Sequence, residues 1–310
     1  MPAVPAGCPP FAVDFPNYLS AGQVRGVAAS GEYAYLASGS EGLEILTLEP
    51  EPTRVGRLDT PGIAYDVTGE GDVDYLADGP AGVAIVDVSD RTEPRLLARA
   101  AEGKLARQVV KFGDRLLVME RNATIEVINV ADPSAPIQEA IVKLRHFAVQ
   151  IADQLLDGRY AVVGHGFALG IIDLEAEGGP DLAISHQTRR DINYYPCGVA
   201  LLDGNLLTTS SRQLRTFDLS DPEQLVELGR ARTSLTVRRI TLHGGLAYIS
   251  CETSGGIVVA DLSDPSEPRV IKEIPTPGHP HRVVIAGESM LVADGYAGLH
   301  VIALEETQEP

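Results

Sequence analysis

One phrase returns along the chain. It reads Gly82-Val83-Ala84-Ile85-Val86-Asp87-Val88-Ser89-Asp90, then Thr124-Ile125-Glu126-Val127-Ile128-Asn129-Val130-Ala131-Asp132-Pro133, Leu214-Arg215-Thr216-Phe217-Asp218-Leu219-Ser220-Asp221-Pro222 and Gly256-Ile257-Val258-Val259-Ala260-Asp261-Leu262-Ser263-Asp264-Pro265. Aligned on the residue that ends the apolar run, the repeat anchor falls at Thr47, Asp87, Asn129, Asp173, Asp218, Asp261 and Ala303, with spacings of 40, 42, 44, 45, 43 and 42 residues. Seven units of this period make a repeat architecture, and that restricts the fold before any other property is considered.

Each unit consists of short β-branched or alternating segments separated by Gly, Asp and Pro, with no sustained helical period, so the chain is all-β. The second unit sets the pattern: strands are expected at Ala64 to Thr68, Val73 to Ala77, Val83 to Asp87 and Arg95 to Ala100. Four antiparallel strands per unit and seven units predict a seven-bladed β-propeller. The seventh unit stops after its third strand, Leu299 to Leu304, while Phe11 to Leu19 precedes the first unit. The N-terminal segment is therefore expected to supply the outer strand of the last blade and close the ring, which removes the free edges of an open one. Residues 1–310 then form a single propeller domain, with 1–10 and 305–310 expected as flexible tails.

The phrases Tyr75-Leu76-Ala77-Asp78-Gly79 followed by Val83 to Asp90 and Glu93-Pro94, and Met290-Leu291-Val292-Ala293-Asp294-Gly295 followed by Gly298-Leu299-His300-Val301-Ile302, resemble the LVIVD-repeat family of β-propellers. In period the resemblance covers the chain, and it is close in units two, three, six and seven. Unit one departs at Leu48-Glu49-Pro50-Glu51-Pro52, and unit four at Leu174 to Pro180 and in an enlarged turn at Asp153 to Gly158. The resemblance implies a propeller and no single function. More distantly the chain is similar to selenium-binding-protein propellers, a likeness that implies copper-dependent thiol oxidation. Without Trp, and hence without any Trp-Asp pair, it does not resemble WD40 repeats.

Charge narrows the partners. With 25 Lys plus Arg against 43 Asp plus Glu the formal charge is −18, so nucleic acid and anionic membrane surfaces meet long-range repulsion and are not expected as partners. No apolar run is long enough to span a bilayer, and Met1 to Pro10 lacks the basic and apolar regions of a secretory signal. A cytoplasmic location is the expectation, with the three Cys held as thiols.

Strands alternate direction within a blade, so the second-to-third turns and the links between blades share one end of the ring, the top. The Ser-Asp and Asp-Pro turns fall at the bottom, where Asp and Ser bond nearby amides as structural turns. The inner-strand starts bring Arg25, Tyr65, Asp66, Arg107, Gln108, His146, Tyr195, Cys197, Arg238, Arg239, His281 and Arg282 toward the top of the channel. The top hairpins add His165, Cys251, Asp294 and Tyr296. Arg outnumbers Lys 21 to 4, and planar guanidinium forks suit carboxylate or phosphate. Arg25, Arg107, Arg238, Arg282, His165 and Tyr296 are the candidate binding residues for a small, anionic or oxygen-rich ligand.

His281 or His146 with Tyr65, Tyr195 or Asp66 can form an acid/base pair for a cofactor-independent lyase, isomerase or cyclase. His279 and His281, separated by Pro280, have a spacing that metals use. With Cys197 and Cys251 they are candidate ligands for zinc or copper, although no cofactor is firmly implied. Cys197 or Cys251 is also a candidate nucleophile. Three functional readings stay open at this point: a small-molecule pocket with proton-transfer chemistry, a non-catalytic scaffold that binds a protein, and a metal-dependent enzyme. A deep funnel containing His281 and Tyr65 favours an enzyme, whereas a channel plugged by Arg238, Arg239 and Arg282 on acidic neighbours favours a scaffold.

Overall fold

The computed structural model describes residues 17–144, 146, 148–165, 168–186, 198–210, 212–221, 224–251 and 255–304. Within these residues twenty-eight strands form seven four-stranded antiparallel sheets. Blades one to six run in chain order over residues 26–58, 66–100, 106–143, 148–186, 198–232 and 240–274. Blade seven takes its inner three strands from 282–303 and its outer strand from Asn17–Tyr18, which pairs Asn17 with His300 and Tyr18 with Leu299. The ring therefore closes as the sequence predicts. Of the expected closing segment, residues 11–16 lie outside the described residues, as do both tails at 1–10 and 305–310.

The apolar core sits between blades. Buried side chains fall into seven clusters, each straddling one interface; one joins Tyr35, Leu43 and Ile45 of blade one to Val67, Leu76 and Val86 of blade two. A blade is therefore covered on both faces. Its second and third strands are buried almost without interruption, as in Tyr33–Ala37 and Val83–Asp87, while an outer strand such as Val226–Arg232 alternates between exposed and half-buried. Each fully buried Val, Leu or Ile contributes about 1.5–3 kcal/mol, so the repeated apolar phrase is the main source of ring stability.

The polar part of the phrase sets the turns. Asp87 accepts the Ser89 amide at 2.8 Å, Asn129 that of Ala131 at 3.0 Å, Asp218 that of Ser220 at 2.8 Å and Asp261 that of Ser263 at 2.9 Å. These side chains mimic a backbone turn and stop the third strand. The leading glycine has a different cause. A Cβ on Gly82 would lie 2.4 Å from the Ala100 carbonyl oxygen, and one on Gly298 would lie 2.0 Å from that of Tyr18, so the outer strand passes only because no side chain is there.

Ring closure is latched onto the neighbouring blade. The Tyr18 hydroxyl donates to Glu44 Oε1 at 2.7 Å, and Arg54 Nη1 donates to the same oxygen at 2.8 Å. Burial pushes the Glu44 carboxyl up, but hydrogen bonding, that from Tyr18 and Arg54 included, more than offsets it and holds the group below its ordinary value. Elsewhere inner-strand side chains stitch one blade to the next. Gln108 exchanges two hydrogen bonds with the Ile151 backbone at 3.1 and 2.9 Å, and the Thr241 hydroxyl donates to the Val283 carbonyl at 2.7 Å.

Two local expectations change. The inner strand of blade two runs Asp66–Glu70 rather than Ala64 to Thr68, because Ala64 instead forms a bridge with Gly39 of blade one. The enlarged turn expected at Asp153 to Gly158 is a bulge inside the strand Ala148–Leu156, between Ile151 and Leu155, followed by a short turn at 157–159. The bulge brings Asp153 to the channel.

Candidate functional site: the arginine mouth and the channel plug

The top of the channel is built by one device used three times. The second-to-third turn of blade seven bridges to Val24 through Gly295, that of blade one to Ala64 through Gly39, and that of blade two to Ala106 through Gly79. The residue after each bridge is Arg25, Tyr65 and Arg107 in turn. Three consecutive blades thus place their side chains at equivalent positions. The Arg25 and Arg107 guanidinium carbons each lie 4.4 Å from the Tyr65 ring centroid. Because Tyr65 belongs to the blade between them, the arginines flank the ring. Such contacts contribute about 0.5–2 kcal/mol each, depending on desolvation.

Arg25 is further fixed by Gln23, whose Oε1 accepts from Nε at 2.9 Å and from Nη2 at 2.6 Å. Gln23 Nε2 lies 3.3 Å from His281 Nε2, a hydrogen bond whenever that ring nitrogen carries no proton. The top mouth is therefore a continuous run from blade seven to blade three: His281, Gln23, Arg25, Tyr65, Arg107. Neither Arg25 nor Arg107 has a carboxylate partner among the described residues, whereas Arg54, Arg57, Arg91, Arg99, Arg115, Arg159 and Arg215 all do.

One residue further along each inner strand the chemistry reverses. Asp66 is fully buried and meets Arg282 Nη1 with both oxygens at 3.1 Å and Arg239 Nη2 with Oδ2 at 3.0 Å; the Val109 amide donates to Oδ2 at 3.4 Å. Arg282 also lies 3.6 Å from Asp153. This network crosses the channel and ties blades two, four, six and seven. It exists because blade one contributes Gly26 at the matching position: a Cβ there would lie 2.7 Å from the Asp66 Cα and 3.0 Å from its Oδ1. Burial alone would lower the Arg282 pKa, but the Asp66 and Asp153 charges more than offset it and hold the guanidinium above its ordinary value.

Below this plug lies a cavity of about 320 Å³ whose lining includes Thr68, Lys111, Gln154, His243 and Val284, with Arg282 at its upper end. It contains neither His281 nor Tyr65. Of the two arrangements the sequence leaves open, the described residues show the plug, with Arg239 and Arg282 on Asp66 closing the channel beneath Tyr65.

Several predicted site residues change role. Asp66 is committed to two guanidiniums, so it is a structural anion rather than a base. Arg282 is the other half of the plug, paired with Asp66 and close to Asp153, and it also lines the cavity below. His165 is fully buried, its two ring nitrogens have no hydrogen-bond partner among the described residues, and its ring stacks on His146 with centroids 6.3 Å apart. Burial first, and the neighbouring His146 second, pull its pKa down to about 4, so His165 is neutral and cannot attract an anion by charge. Cys251 is fully buried in the apolar cluster between blades five and six, and burial pushes its thiol up to about 12. A buried thiol that stays protonated is a poor nucleophile.

His146 and His279 are exposed, as is Tyr296, at 79 %. Arg238 is half-buried and its amide donates to the Ser250 carbonyl at 2.9 Å. Tyr195 and Cys197 lie outside the described residues. Among the described residues no three His, Cys, Asp or Glu are grouped to hold a metal ion. The sequence reading missed two participants: Gln23, and Gly26, whose absent side chain opens the way between Arg282 and Asp66. Gln23 was detectable only as a polar residue two positions before Arg25.

The chain matches the LVIVD repeat over residues 21–46, 61–101 and 236–276. The first match falls in unit one and ends before that unit's departure at Leu48 to Pro52; units three and seven are not among the matched regions. No curated protein matches the chain at a significant level. Among solved structures it is similar to the WD40 β-propeller domain of Doa1 (TM-score 0.75, 10 % identity, 95 % of this chain and 97 % of that one). A protein from Lactobacillus plantarum is also similar (0.73, 13 %, 92 % and 90 %), as is the computationally designed Ika8 protein (0.62, 8 %, 92 % and 97 %). At these identities the likeness concerns the fold alone.

Proposed function

We propose that this chain, a seven-bladed propeller that carries LVIVD repeats, is a binding scaffold whose top mouth captures an anionic group. The observation behind this reading is the Arg25–Tyr65–Arg107 stack: two half-buried guanidiniums, flanking one ring and lacking carboxylate partners among the described residues. In a chain with 43 acidic side chains, two neighbouring arginines left without an anion supply a local charge for a ligand. The overall charge of −18 does not defeat it, because the Debye length is about 8 Å at physiological salt and the nearest charges dominate. A carboxylate or phosphate meets planar forks that can bind it bidentately.

A scaffold is favoured over proton-transfer chemistry for a geometric reason. Asp66, the buried carboxylate next to Tyr65 on the inner strand, is already paired with Arg239 and Arg282, and the channel is closed under Tyr65. The test is titration calorimetry of the full chain with citrate at low ionic strength. Replacing both arginines, Arg25→Gln with Arg107→Gln, is expected to weaken citrate at least tenfold, or about 1.4 kcal/mol. Arg230→Gln, at an exposed outer-strand position, serves as the control and is expected to change nothing. Equal citrate affinity in the double variant and the parent chain would sink the proposal.

A further inference from the structure

We infer that the partner of this mouth is an acidic peptide segment, bound extended across the top of blades seven, one, two and three, with two carboxylates at alternate positions and an apolar side chain beside them. The inference rests on the anion-binding reading above and names the class of anion. Its first support is shape. The Asp66–Arg239–Arg282 network closes the channel directly below Tyr65, so a ligand of the mouth lies over the face rather than entering it.

The second support is the apolar surface around the arginines. Ile63 is 39 % exposed and stands two residues before Tyr65; Leu105 is 41 % exposed and stands two residues before Arg107. Tyr296 follows Gly295, where an added Cβ would lie 3.6 Å from Gln23 Nε2 and 3.7 Å from His281 Nε2. Single exposed apolar residues need no explanation. Here three flank one run of polar side chains, at the turn and links that build it. Exposed ion pairs alone contribute little in water, so a stable partner also has to cover apolar surface.

The third support is spacing. Both guanidinium carbons are 4.4 Å from one ring centroid, so they lie no more than 8.8 Å apart. Side chains at i and i+2 of an extended chain are on one side and separated by about 7 Å. Two acidic residues with one residue between them therefore reach both forks at once. A long polyanion such as a nucleic acid fits less well, since its further phosphates extend over an acidic surface.

The experiment is selection of a displayed random peptide library on the full chain at physiological salt, with the Arg25→Gln, Arg107→Gln double variant selected in parallel. The most enriched peptide is then synthesised for fluorescence polarisation. Expected are sequences with Asp or Glu at alternate positions next to an aliphatic or aromatic residue, binding at least tenfold more weakly to the double variant and several-fold more weakly to Leu105→Ser with Tyr296→Ser. Enriched peptides without acidic residues, or with undiminished affinity for the double variant, overturn the inference. A library that yields no binder overturns it as well. If citrate still depends on the two arginines in that case, the anionic mouth stands without a peptide partner; if citrate fails too, both readings fall.

Discussion

Replacing Asp66 by Asn is expected to destabilise the ring by about 3–5 kcal/mol, the cost of leaving a buried charge without its counter-ion. At a few degrees per kcal/mol in smaller domains, and less in a chain of this length, the melting temperature is expected to fall by roughly 5–10 °C. Asp66 is fully buried, and the Arg239 and Arg282 side chains are 19 % and 13 % exposed, so water does little to replace the lost anion. An Asn amide of the same shape keeps one acceptor oxygen but carries no charge and replaces the other oxygen with an NH2 donor that faces guanidinium donors. The complementary variant removes the charges together: Asp66→Leu with Arg239→Met and Arg282→Met is expected to recover most of the loss, since buried ionic networks are often no more stable than apolar replacements of similar volume. Calorimetry decides the matter. If Asp66→Asn melts within 2 °C of the parent, the plug is not a structural element.

Much of this architecture is legible in the sequence because a propeller blade is buried on both faces. Val73–Ala77 and Val83–Asp87 stand out as apolar runs, the Asp anchors mark where third strands end, and the spacing counts the blades. What is not legible depends on contacts between blades. The inner strand of blade two begins at Asp66 because Ala64 pairs with a turn of blade one, and no local pattern encodes that bridge. The convergence of Arg25, Tyr65 and Arg107 follows from their equivalent positions, so it can be anticipated from the repeat. Their difference in role from Asp66 and Arg282 cannot, because it turns on the missing side chain at Gly26 and on ion pairs that cross the channel. The fate of Cys251 and His165 likewise depends on burial by a neighbouring blade rather than on their own flanking residues.

Asp74 is the clearest case of a signal present but unused, and it carries the second large effect. It stands thirteen residues before its repeat anchor, the position held by Ala34, Leu116 and Met290 in other units, and like them it is buried. Its Oδ2 has no hydrogen-bond partner among the described residues, and burial pushes the carboxyl up to about 8 against an ordinary value of 3.8, with only a partial counter-effect from Arg91. Between those two values the unfolded chain has released the proton while the folded chain keeps it. Stability attributable to this group is therefore full below about pH 4, falls by about 1.4 kcal/mol for each pH unit above that, and levels off beyond pH 8. Asp74→Asn retains a donor and an acceptor but does not titrate. Its melting temperature is expected to exceed that of the parent by a margin that widens from pH 5 to pH 8.5, reaching the equivalent of several kcal/mol. Differential scanning calorimetry of both chains across that range reads the margin directly, and the common effect of the −18 net charge cancels to within the single charge that the substitution removes. A margin that stays constant with pH would mean that Asp74 is already ionised in the folded ring.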